Sequence, residues 1–114
     1  MDFLKKFKKK IEIKESKVDP KTIQLAKEKI PILEKKIKQE PDNFNLLYQL
    51  YCCYVDLSNS EKKIECLEKM NEINPKDSFT LSQLAQIYFS ELENPEKGKF
   101  YLDKSNKLNS NKFL

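Results

Sequence analysis

The sequence predicts an all-α chain. Three observations carry that reading. Apolar residues recur at steps of three and four over several long stretches, Lys, Glu, Leu and Ile dominate the composition, and a single glycine leaves little material for tight β-turns. With 39% hydrophobic and 35% charged residues over 114 positions, the chain can bury a core and has the length of one domain.

The elements follow in order. Residues 1–18 form a basic arm holding seven Lys against three acids, whereas residues 19–114 hold fifteen of each. Within the arm Phe3, Leu4, Phe7 and Ile11 make one stripe, flanked by Lys5, Lys6, Lys8, Lys9 and Lys10. That pattern suits a short interfacial helix with weak affinity for an anionic surface, whether lipid or RNA. Asp19-Pro20 is a cap followed by a proline start, and Ile23, Ala26, Ile30, Leu33 and Ile37 then step along one face to about residue 39. Pro31 interrupts this helix at a cost of about 3 kcal/mol. Because the apolar step stays in phase across it, one kinked helix is expected rather than two.

Phe44, Leu47, Leu50, Tyr51, Tyr54 and Leu57 predict the next helix. Ser58 with Glu61, or else Ser60, is the expected cap of a helix over 61–73 that turns Ile64, Leu67, Met70 and Ile73 inward and stops at Asn74-Pro75. The pattern then returns. Asp77 or Ser78 caps a face of Leu81, Leu84, Ala85, Ile87, Tyr88 and Leu92, and Asn94-Pro95 opens a helix over about 95–108 with Tyr101, Leu102, Ser105 and Leu108 inward. The tail "NSNKFL" is too short for a helix of its own.

Two helix pairs therefore recur at a spacing of 34 or 35 residues, and "QEPDN" at 39–43 and "INPKD" at 73–77 mark the joints. Leu47, Leu50, Tyr54, Leu67 and Pro75, then Leu81, Leu84, Tyr88 and Leu102, together with small residues at Ala85, Gly98 and Ser105, resemble the tetratricopeptide repeat (TPR) family. The resemblance implies a right-handed helical-repeat superhelix of antiparallel pairs: a capping helix at 19–40, a first repeat at 42–75 and a second at 76–110. The first repeat departs from the pattern, with Tyr51, Lys63 and Met70 where the family places small side chains. The second needs one extra residue in its inner turn.

In that family the first helix of each pair lines a concave groove. The resemblance places Asn45, Tyr48, Cys52, Val55 and Asp56, then Phe79, Ser82, Gln86, Phe89 and Ser90, on it. Aromatic side chains there suit an apolar or amphipathic peptide or helix, so the expected role is protein–protein interaction, as an adaptor or assembly factor. The lysine and asparagine clamp by which some TPR proteins hold chaperone tails is not expected, since Tyr48, Gln49, Cys52, Ser82, Gln83 and Gln86 stand at its places. The alternative is a peripheral tether whose arm engages an anionic membrane or RNA surface while the repeats self-associate. The last helix, with Phe100, has no following unit to cover it, which leaves that face to a homodimer, another partner, or a fold-back of Phe113 and Leu114.

Other classes are disfavoured. The chain has no histidine, no arginine and no glycine-rich phosphate loop, so an enzyme, a bound cofactor and sequence-specific nucleic-acid recognition are not expected. Cys52, Cys53 and Cys66 lack both the spacing and the fourth ligand of a zinc site, and read as reduced thiols of a cytoplasmic protein.

Overall fold

A computed structural model describes residues 18–111, and all but the last residue of the basic arm lies outside that range. Five helices follow one another: α1 (Pro20–Gln39), α2 (Phe44–Asp56), α3 (Ser60–Ile73), α4 (Ser78–Ser90) and α5 (Pro95–Asn111). No strand occurs among the described residues.

Every helix begins on an Asx side chain that takes an otherwise orphaned backbone N–H, an arrangement worth about 1 kcal/mol each. Asp19 accepts from Lys21 N at 3.0 Å, Asn43 from Leu46 N at 3.2 Å, and Asn94 from Lys97 N at 3.2 Å. Asp77 accepts from both the amide and the hydroxyl of Thr80, at 3.0 and 2.6 Å. The cap of α3 corrects the expectation of Ser58 or Ser60: it is Asn59, which accepts from Lys62 N at 3.1 Å. Ser58 is unavailable because its φ of 52° makes it the left-handed residue of the connector. Glu93, at φ 48°, does the same in the connector 91–94, which is one residue longer than 57–59. α1 runs as one helix through Pro31, which is exposed.

Each helix meets, backbone to backbone, only its neighbours in sequence. α2 supplies the largest share of the core, with Leu46, Leu47, Leu50, Tyr51, Cys53 and Tyr54 buried. They pack with Ala26 and Leu33 of α1, Leu67 and Met70 of α3, and Leu84 and Ile87 of α4. Tyr51, Lys63 and Met70, the large residues at small-residue positions, are all buried. Two of them carry polar ends to partners on other elements. Tyr51 Oη donates to Gln83 Oε1 at 3.1 Å, and Lys63 Nζ donates to Glu91 Oε1 at 2.8 Å.

The α5 interface differs from expectation. Its buried line runs through Gly98 and Ser105, with Tyr101 and Leu108 half-buried, while Leu102 is exposed on the flank of that line, where no further described helix reaches it. Leu92 likewise falls past the end of α4 and is exposed. No proline or glycine follows Leu108, and α5 continues to Asn111. Phe100 remains 52% exposed, with Lys104 Nζ 4.5 Å above its ring.

One interaction recurs with the sequence period. Tyr54 Oη of α2 donates to Glu34 of α1 at 3.3 Å, and 34 residues later Tyr88 Oη of α4 donates to Glu68 of α3 at 2.8 Å. Burial, and then the facing carboxylate, pushes Tyr54 up to about 12 and raises Tyr88 as well.

Two predictions follow from this packing. The Tyr54 hydroxyl and the Cys66 thiol are raised from 10.0 and 9.0 to about 12 each, Cys66 chiefly by burial. A group raised on folding adds stability that is complete below its unfolded value and is lost as pH climbs through its folded value. Urea unfolding is therefore insensitive to these two groups below about pH 9 and loses stability between about pH 9 and 12, and Cys66→Ala removes the part of the fall that begins first. The second concerns the Lys63–Glu91 pair, whose side chains are 10% and 36% exposed. Glu91→Gln strands a nearly buried ammonium and costs about 1–2 kcal/mol, whereas Lys63→Met removes the charge with the volume kept and stays within about 1 kcal/mol of neutral, both read by chemical denaturation.

Candidate partner-binding surface

The ten residues placed on the groove all fall on α2 and α4, the first helices of the two pairs. Asn45, Tyr48 and Val55 of α2 are exposed and Cys52 is half-buried; Phe79, Ser82, Gln86 and Phe89 of α4 are exposed. Their surroundings are unequal.

Tyr48 and Phe79 meet. Their ring centroids lie 5.9 Å apart in an edge-to-face arrangement, and Phe79 also stands edge-on to Tyr51 at 6.3 Å. Tyr51 continues the bridge through its hydrogen bond to Gln83. The backbones of α2 and α4 do not approach one another, so side chains span the gap between them, the core leucines inside and this aromatic group at the surface. Tyr48 and Phe79 are 39% and 42% exposed, so each offers one flank to solvent and uses the other in the bridge.

Phe89 and Ser82 turn elsewhere. A Cβ placed on Gly98 of α5 would lie 2.8 Å from the Phe89 ring, so the ring rests on the glycine. Ser82 Oγ shares a hydrogen bond with Ser105 Oγ of α5 at 3.2 Å. On the other side, Tyr48 and Cys52 form one wall of an open cleft of about 390 Å³ whose opposite wall is α1, with Leu25 and Ile32 facing in. Leu25 and Ile32 escaped the sequence reading, although Thr22, Leu25, Lys29, Ile32 and Lys36 keep a second three-and-four step along α1. The Lys63–Glu91 pair escaped it too, for want of any local signal over 28 residues. The lysines of the arm, Lys5, Lys6, Lys8, Lys9 and Lys10, lie outside the described residues.

Burial raises the pKa of Cys53 and takes Cys66 up to about 12, so both thiols stay protonated near neutrality. Among the described residues no three metal-capable side chains cluster, and no helix is long and apolar enough to cross a membrane.

Comparison with known proteins bears on the fold. No family model matches the chain, and no curated protein matches it. Solved structures do. The structure titled MamA MSR-1 C2 aligns over 79% of this chain and 52% of its own, at 21% identity and a TM-score of 0.66. MamA AMB-1 C2221 aligns over 75% of this chain and 51% of its own, at 22% identity and a TM-score of 0.64. The fold is a TPR-like helical repeat. The chain spans about half the length of these MamA chains.

The Phe89 contact is testable by a double-mutant cycle. Gly98→Ala gains about 1 kcal/mol of helix propensity but forces the Phe89 ring to move, so it is neutral or destabilising in the native chain; in a Phe89→Ala background the same change stabilises by about 1 kcal/mol in urea unfolding.

Proposed function

We propose that this chain is a protein–protein interaction module, an adaptor or assembly factor that takes an apolar or amphipathic peptide or helix on the surface presented by α2 and α4. The observation that carries the reading is the Tyr48–Phe79 pair: two large rings, each about 40% exposed, held against one another across two helices. Rings fixed in this way lose little freedom on binding and offer large contact area, which is what an aromatic anchor site needs. Val55 and Phe89, exposed on the same two helices, extend the apolar area. The helical-repeat fold supports the same reading, because stacked helix pairs present extended side-chain surfaces to a partner.

The test is affinity capture from lysate with three full-length baits: the native chain, Tyr48→Ala with Phe79→Ala, and Lys5→Glu with Lys6→Glu and Lys9→Glu. A partner held by the native and charge-reversed baits and reduced about tenfold or more by the aromatic pair meets expectation. Capture that survives loss of the rings but vanishes on charge reversal, and that weakens steeply with salt, would replace this reading with that of a basic tether.

A further inference from the structure

The recurring tyrosine–glutamate bond defines an internal equivalence. Glu34 and Tyr54 stand 34 residues before Glu68 and Tyr88, so α1 is to α2 what α3 is to α4. Between α3 and α4 the structure seats a helix, α2, which packs on α3 and reaches α4 through Tyr51–Gln83 and the Phe79 ring. The equivalent seat beside α1 and α2 is the open cleft. Its α1 wall of Lys29, Ile32, Leu33 and Lys36 corresponds to Lys63, Cys66, Leu67 and Met70, all four buried. The contrast is sharpest at one pair: Cys66 is 3% exposed and its counterpart Ile32 57%. An isoleucine on that face matches a covered position.

The occupant can be read from the helices that fill such seats. α2 carries Leu47-x2-Leu50-x3-Tyr54 and α4 carries Leu81-x2-Leu84-x3-Tyr88. The same spacing stands a third time in the chain, as Leu4-x2-Phe7-x3-Ile11, in the stretch that leads directly into α1. The distance to the following helix also fits. Tyr54 precedes Ser60 by six residues and Tyr88 precedes Pro95 by seven, while Ile11 precedes Pro20 by nine, which leaves room for the reversal. We propose that the α1/α2 groove is the seat of the chain's own residues 4–15, docked as a helix antiparallel to α1.

Covalent linkage holds the segment near the groove at an effective concentration on the order of millimolar, so modest contacts suffice to close it. In a helical register Lys5, Lys6, Lys9 and Lys10 fall off the Leu4, Phe7 and Ile11 line, while Cys52 and the cleft side of Tyr48 are covered and Phe79, which does not line the cleft, stays open. The apolar half of the arm and the α1 side of the aromatic surface are then unavailable together. This inference holds whether or not α2 and α4 also receive another protein.

The geometry supplies a test. Tyr51 and Gln83 touch, and one step earlier their counterparts are Lys8 and Gln49. The full chain carrying Lys8→Cys, Gln49→Cys and Cys52→Ala is treated with a short bis-maleimide and the products are mapped by mass spectrometry. The expected result is an intrachain link between positions 8 and 49 that is lost when Leu4→Asp and Phe7→Asp are added. Links between two chains would show that the groove takes a second copy instead. No link, or a link that persists in the Leu4→Asp, Phe7→Asp variant, overturns the proposal as well, since mere tethering would not depend on the apolar stripe. A second readout needs no introduced thiol. Iodoacetamide modification of native Cys52 accelerates about tenfold or more in Leu4→Asp, Phe7→Asp, with helix content checked by circular dichroism, and an unchanged rate overturns docking.

Discussion

The register between successive helix pairs rests on one directional contact, the tyrosine hydroxyl of an incoming helix on a glutamate of the helix before it. Leu, Ile and Met side chains alone would tolerate a slide of one turn, because apolar contacts are not directional. A hydroxyl donor that must meet a carboxylate is less forgiving. Tyr54 on Glu34 and Tyr88 on Glu68 remove the ambiguity at both joints. Once they are satisfied, the positions of Tyr48, Tyr51 and Phe79 relative to one another follow.

The two helix pairs then solve the same packing problem with opposite means. In the second, Ala85, Gly98 and Ser105 let α4 and α5 share the most extensive helix contact in the domain. In the first, Tyr51, Lys63 and Met70 occupy the corresponding places, and the two polar tips among them travel outward to Gln83 and Glu91 on and beside α4. Bulk within the first pair thereby becomes adhesion to the second. The aromatic bridge is part of that exchange, since Phe79 packs against Tyr51 and leaves its far side to solvent.

The helices were legible in the sequence because periodicity and caps are local properties. Leu47, Leu67, Leu81 and Leu84 announce their burial by spacing alone. Failures occurred where a neighbour decided the outcome. Ser58 has cap chemistry, but its left-handed φ hands the role to Asn59. Leu102 keeps the helical step yet has no described helix opposite it, and Phe89 is set by a glycine nine residues later on another helix. Leu25 and Ile32 lie on a second apolar step of α1 that is exposed beside the inward one, and no local signal tells such a step from a solvated face.

Among the described helices α1 leans on α2 alone and α5 on α4 alone, while α2, α3 and α4 are each held from two sides, so cohesion is greatest at the centre. A linear stack of this kind loses its members from an end rather than melting at once. The glycine and serine that let α5 approach closely contribute little apolar area of their own. Amide protons of α1 and α5 should accordingly exchange through local openings that leave α2 and α3 protected. The described helices thus have two looser edges and a persistent centre, and the centre is the part that carries the Tyr48 ring.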